Sequence, residues 1–347
     1  MSLFTYKEID KAYYQEQIRD FLPKKIIDAH THVYSTRFRH PPKAGVPDRS
    51  QNWPNLVAED NPIEDLLETY RIMMPEQEVT PVIFGQPSLD YDVDANNAYI
   101  AECAKKYDFP ALYLARPWES AAEIEERIRD GGFGGIKVYL NFAPPYIPAD
   151  EIRIFDFLPH WQLEVMNHHK WIVMLHIPRS GRLKDPVNLE QMLEIDRRYP
   201  DVKLIIAHVG RAYAPEDLGD ALDRLADTGM WFDFAANTNQ FVFEQAIQKI
   251  GPKRLMFGTD LPILRMRMRR IVENGHYINL VPRGMYGDVS GDTHMREVDD
   301  ETASKLSIFL YEEIAAIRGA AEGTQLGKAD IEQLFYHTAA ELFSISI

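Results

Sequence analysis

Short runs of Val, Ile, Leu and Phe recur along the chain, at residues 25–30, 79–84, 111–115, 135–139, 171–176, 202–208, 230–234 and 254–260. Such continuous apolar runs read as strands buried on both faces. The stretches between them carry helical periodicity. In residues 121–129, Ile124 and Ile128 lie four apart in a Glu/Arg-rich background, an amphipathic stripe. Residues 189–198 and 218–226 behave similarly. Eight strands alternating with helices predict a closed (β/α)8 TIM barrel of the α/β class rather than an open sheet. The spacing from His32 to Asp260 averages about 33 residues per unit, near the roughly 30 of such barrels. Pro81, inside the second run, is the weak point, because proline cannot donate to a ladder. Residues 33–61 form a long connection bearing Pro41, Pro42, Gly45, Pro47 and Pro54, predicted to lie over the barrel mouth as a lid. Residues 284–300 read as polar loop, and 302–318 and 328–343 as C-terminal helices. With no internal repeat and no linker, residues 1–347 are expected to form a single domain.

Composition narrows the function. Of 347 residues, 38 are Lys or Arg and 53 Asp or Glu, for a net charge of −15. Such a surface disfavours nucleic acid and anionic membranes as partners. Cys103 is the sole cysteine, so an intrachain disulfide or a cysteine-based zinc module is excluded. No run approaches the roughly 20 apolar residues of a membrane helix. The first 20 residues are charged and tyrosine-rich, without the apolar core of a secretion signal. A soluble, cytoplasmic protein acting on a small molecule is expected.

The polar residues gather at strand ends, where barrels of this type carry their chemistry. In His30-Thr31-His32, residues i and i+2 share a face. Two imidazoles there can share one ion, or can be partly exposed histidines on a strand edge. His176 closes Trp-Ile-Val-Met-Leu, and His208 closes Leu-Ile-Ile-Ala. Either alone reads as a core histidine. Asp260 reads alone as a helix N-cap, since Pro262 is suited to a first helical turn. Together with four histidines at strand ends, it reads as part of a metal site.

The set IIDAHTHV, WIVMLHIP, LIIAHVGR and LMFGTDLP, in this order and spacing, resembles the amidohydrolase superfamily. More narrowly it is similar to the amidohydrolase-2 branch, with its decarboxylases of the aminocarboxymuconate-semialdehyde type, lactonases and hydratases. The resemblance runs over residues 26–262. It implies that His30, His32 and His176 are metal ligands and that Asp260 is both ligand and proton shuttle. His208 would bind a second metal in binuclear members, or hydrogen-bond the attacking water or substrate in mononuclear ones. Lys137 lies on the fourth strand, where binuclear relatives carry a carboxylated lysine or a glutamate. We favour one divalent ion with Lys137 unmodified, zinc in the first place, with Mn2+ or Fe2+ compatible. The implied chemistry is hydrolysis of an amide, ester or lactone by metal-activated water, with Asp260 as general base. The alternative is non-oxidative decarboxylation.

Arginines follow the catalytic strand ends: Arg116, Arg179, Arg182, Arg211, Arg265, Arg267, Arg269 and Arg270. They suit a carboxylate-bearing substrate, and Arg179 and Arg211 are singled out as a group. Arg267 and Arg270 otherwise read as helix-borne, solvated or paired with this chain's own acids. Tyr139, Lys137 and Gln86 are further pocket candidates, and Asp28 is a candidate to orient a ligand histidine. The N-terminal aromatics Phe4, Tyr6, Tyr13 and Tyr14 would pack on a neighbour, in a homo-oligomer, or on the chain's own barrel.

Overall fold

The computed structural model describes residues 3–41, 49 and 54–345. Eight strands appear in the expected order: β1 (Lys25–His32), β2 (Glu78–Phe84), β3 (Tyr113–Leu114), β4 (Gly135–Val138), β5 (Ile172–Leu175), β6 (Lys203–Ile206), β7 (Trp231–Asp233) and β8 (Leu255–Met256). β3 to β8 form a six-stranded parallel ladder, and β1 and β2 a second parallel pair. Backbone contacts stitch both seams. Ile83 bridges to Ala111, and Leu112 N donates to Ile83 O at 3.0 Å. On the other side, Ala29 N donates to Phe257 O (3.0 Å), Asp260 N to His30 O (2.7 Å) and His32 N to Leu261 O (2.9 Å). The fold is an α/β barrel of the expected type. Pro81 is accommodated opposite Asp28, where the β1–β2 register shifts before Thr31.

The two faces of each strand explain the continuous apolar runs. Ile27, Ala29, Val82, Phe84, Leu112, Ile172, Met174, Ile205 and Met256 form one buried cluster, with Ala339, Ala340 and Leu342 of the C-terminal helices packed onto it. The alternate positions, among them Ile26, Ile83, Ile136, Val173, Leu204 and Leu255, pack in the larger cluster with the surrounding helices. Several helices follow their capping residues. Ser120 caps Ala121–Gly131 in a box with Glu123, and Asp185 caps Pro186–Arg198 with Pro186 in the first turn.

Three expectations are corrected. The segment after Asp260 is not helical at Arg270: β9 (Arg269–Glu273) and β10 (His276–Pro282) pair antiparallel, and β11 (Met295–Val298) adds to β10. Asn274 and Gly275, both at positive φ (52° and 75°), make the two-residue turn. β11 falls inside the stretch expected as loop. The helix expected over 302–318 is broken into Asp300–Ser304 and Phe309–Gly323. The intervening residues are extended, because Ser307 O and Ile308 are taken up in pairing with Met268 and Arg267.

Residues 33–61 fall partly outside the described residues, at 42–48 and 50–53. Within the described part, Tyr34 bridges to Asn61 and Arg39 to Tyr91. The N-terminal aromatics pack on the chain itself: Tyr6 and Tyr311 share a hydroxyl–hydroxyl bond of 2.9 Å, and Tyr13 stacks on Tyr311. Among the described residues no helix is long and apolar enough to cross a membrane.

Candidate metal centre and active site

The barrel mouth gathers the strand-end residues. His30 lies two residues before the end of β1, with Nδ1 2.9 Å from Asp233 Oδ2. Asp233, at the end of β7, also accepts the backbone amides of His208 (2.7 Å) and Ala235 (3.1 Å) on its other oxygen. His32 sets Nδ1 3.0 Å from Gly85 O, and His208 sets Nδ1 2.8 Å from Ala235 O. In each ring Nδ1 meets an obligate acceptor, so Nδ1 carries the proton and Nε2 is a bare lone pair. Those nitrogens face a carboxylate: Asp260 Oδ1 lies 3.1 Å from His32 Nε2 and 3.5 Å from His30 Nε2. One ligand atom each from His30, His208 and Asp260 lie within 4.8 Å of one another. Lone pairs on nitrogen directed at a carboxylate oxygen repel unless a proton or cation lies between them. The donor set therefore fits a divalent ion.

His176, just past β5, completes the ring of imidazoles. Its ring lies 5.3 Å from that of His208 and 4.5 Å from that of Tyr139, centroid to centroid. Its Nδ1 is buried without a hydrogen-bond partner among the described residues, which suits a ligand nitrogen. Lys137, on β4, is buried with Nζ 3.2 Å from His30 Nε2.

Electrostatics agree with this use. Burial pushes the imidazoles of His30, His176 and His208 below their usual range, keeping them neutral as metal ligands must be. Burial also draws Lys137 down to about 8, against the pull of Asp233 and Asp260. For Asp260 burial acts upward. The facing imidazoles of His32, His208 and His30 outweigh it and hold the carboxyl at about 2, as a cation lying between those rings and the carboxylate would.

Local backbone sets these directions. His208, Val209, Gly210 and Arg211 all have positive φ, between 46° and 62°, a single left-handed turn following β6. Only glycine adopts this conformation freely, and a β-branched Val209 there is strained. The turn carries both His208 and Arg211 to the cavity. Asp260 is also at positive φ, 60°. Its side chain meets His32 rather than capping a helix.

A cavity of about 260 Å³ opens over the site, lined by His30, His32, His176, His208, Asp260, Lys137, Gln86, Tyr139, Arg211, Tyr34, Arg39, Arg49 and Arg270. Arg179 is not among the lining residues. Its Nε donates to Asp150 O at 2.9 Å, and Asp185 lies at 3.9 Å. Asp28 does not touch the His30 ring. It accepts the His30 and Thr259 amides and the Thr259 and Tyr70 hydroxyls, and burial raises it to about 7 against those bonds. The group that orients the ring is Asp233, which the sequence reading passed over. Its signal was a polar residue near the end of an apolar run, as at the other strand ends.

The sequence profile of the amidohydrolase family matches residues 27–345, and the chain belongs to that family of enzymes. No curated protein matches it in sequence. Among solved structures it is similar to a probable 2-pyrone-4,6-dicarboxylic acid hydrolase from Acinetobacter baumannii (17% identity, TM-score 0.54, covering 92% of this chain and 99% of that one). It is similar to a dihydroxybenzoic acid decarboxylase from Polaromonas sp. JS666 with bound manganese and the inhibitor 2-nitroresorcinol (16%, 0.54, 93% and 98%). It is also similar to an amidohydrolase from Burkholderia multivorans with bound zinc (16%, 0.55, 92% and 99%). At these identities the likeness is one of fold.

Proposed function

We propose that the protein is a metal-dependent hydrolase of a small, carboxylate-bearing amide, ester or lactone. The observation that carries this reading is the set of bare imidazole nitrogens facing one ionised aspartate across a solvent-accessible cavity. His30, His32, His176 and Asp260 would hold one divalent ion, zinc in the first place. His208 stands close enough to those ligands to join them or to hydrogen-bond the reacting oxygen. The zinc and manganese of the structural neighbours support a divalent ion. When bound, such an ion polarises a carbonyl and acidifies water at neutral pH.

The chain's own groups supply the rest. Asp260, ionised throughout the working range, accepts a proton from the attacking water and returns it to the leaving group. His208, neutral and fixed through Nδ1, offers Nε2 to the reacting oxygen when it is not a ligand. Arg211, anchored through Nη1 to Pro178 O at 2.9 Å, presents charge to the substrate carboxylate. Tyr139, Lys137 and Gln86 shape the remaining wall.

Decarboxylation of a similar acid is the second reading, because the structural neighbours include a decarboxylase as well as a hydrolase. The test is a panel of lactones, esters, amides and unsaturated aromatic acids with zinc- or manganese-loaded protein. Acid release on ring opening or bond cleavage supports hydrolysis. Bicarbonate or CO2 release supports the second reading and overturns the first.

A further inference from the structure

The arginines near the site divide by what neutralises them. Arg267 is paired with Asp10, Arg116 with Asp94 and Glu119, and Arg182 with Asp217 at 2.7 Å. Arg270 is different. It lies on β9, outside the barrel, and lines the cavity. No carboxylate among the described residues forms an ion pair with it. Its Nε donates to Asn279 Oδ1 (2.8 Å) and its Nη1 to Ala236 O (2.6 Å), which fixes the guanidinium and leaves Nη2 without a protein acceptor among the described residues. The rings of Tyr277, Phe309 and Tyr213 surround it at 4.6, 4.7 and 4.8 Å. Arg182 packs on two of the same rings, so one aromatic cluster holds a compensated and an uncompensated guanidinium side by side. The buried acid Glu313, whose carboxyl burial pushes well above the usual carboxylate range, accepts the Asn237 amide and forms no ion pair with Arg270. Neither Tyr213 nor Tyr277 makes a hydroxyl hydrogen bond to protein among the described residues, and both line the cavity.

An uncompensated, partly buried guanidinium is unfavourable unless something anionic meets it. Cation–π contact offsets part of that penalty and supplies no counter-charge. A rigid cation with one unused edge, beside two phenols, is a prepared anion site. We propose that Arg270, carried in by the three-stranded sheet, is a specificity-determining residue that binds a substrate carboxylate remote from the reacting group, with Arg211 left to a second anionic group. The substrate is then a small di-acid. This rests on reading the cavity as a metal-dependent active site, and deepens it.

The test is calorimetric binding to zinc-loaded protein of succinate, glutarate, adipate and isophthalate, against butyrate and benzoate as matched mono-acids. At least one di-acid is expected to bind about tenfold or more tightly than its mono-acid, the scale of a charge-assisted contact. R270M should remove that preference while changing mono-acid affinity less than about twofold, and R270K should retain part of it. A wild-type protein with no di-acid preference, or an R270M variant that keeps it, overturns the proposal. If R270M does not fold, the wild-type comparison alone decides. Zinc content measured on the same samples separates the two readings. Wild-type protein that retains no zinc defeats the metal-site reading, whereas loaded protein indifferent to the second carboxylate defeats this one.

Discussion

Asp233 decides which nitrogen of His30 faces Asp260. One of its oxygens holds the ring and the other gathers two backbone amides, so it ties the orientation of a β1 side chain to the left-handed turn after β6. Asn at this position has one acceptor and one donor, and cannot serve both sides. Asp233→Asn should weaken zinc binding by roughly 10- to 100-fold, the usual effect of removing such a partner, read by competition with a chromophoric chelator. Unchanged affinity would detach Asp233 from the site. His176→Ala, which removes a buried nitrogen that has no hydrogen-bond partner among the described residues, should reduce bound metal in elemental analysis. Asp260→Asn should retain more metal yet lose turnover. Full activity in either variant with metal limiting would contradict these roles. The histidines and Asp260 were legible in the sequence because each ends an apolar run and so marks a strand terminus. Asp233 and Arg270 were not. The first sits inside Met-Trp-Phe-Asp-Phe, where a single polar residue reads as strand alternation. The second followed so many arginines that it read as one more on a solvated helix.

The eight strands were legible because strands buried on both faces tolerate little but Val, Ile, Leu, Phe and Met, and that composition survives in any register. Their lengths were not. β3 and β8 pair over two residues each, because backbone leaves the ladder to build the mouth, and apolar side chains continue past that departure. The β9–β10 hairpin was written in the sequence as Asn274-Gly275 between apolar stretches, a strong turn signal. The break at 305–308 was hidden, since it depends on pairing with Met268 and Arg267, far away in the chain. Gly135 offers the sharpest test of element packing. It opens β4 at φ 153°, and a Cβ there would fall 2.0 Å from Ile172 O, on the backbone of β5. Backbone has nowhere to move without breaking the β4–β5 ladder that holds Lys137 opposite Met174. Gly135→Ala should destabilise the protein by more than about 3 kcal/mol, beyond the ordinary range for point substitutions, measured as a lowered denaturation midpoint. A midpoint within about 0.5 kcal/mol of wild type would mean that this approach is looser than the geometry states.

At the scale of the whole molecule, the candidate ligands belong to strands that are far apart in the chain and end at the same mouth of the barrel. His30 and His32 come from β1, His208 follows β6 and Asp260 follows β8, so an ion shared among them spans the seam where β8 returns to β1. That seam has no regular ladder and relies on single bonds such as Asp260 N to His30 O. Without a cation, the bare nitrogens and the carboxylate repel across the same seam. Metal should therefore act on the stability of the entire barrel and not only on activity. An ion that binds the native state alone adds about 2.7 kcal/mol at a free concentration of 100 Kd. For a chain of this size that is a rise in Tm of about 4 °C. Treatment with a chelator should lower Tm, and zinc or manganese should restore it in a concentration-dependent way in thermal melts. His30→Ala should abolish the metal-dependent shift, because it removes a ligand. R270M should keep the shift, because Arg270 sits on the sheet outside the barrel, away from the seam. A melting curve indifferent to chelator and to added metal would mean that the imidazoles do not share an ion.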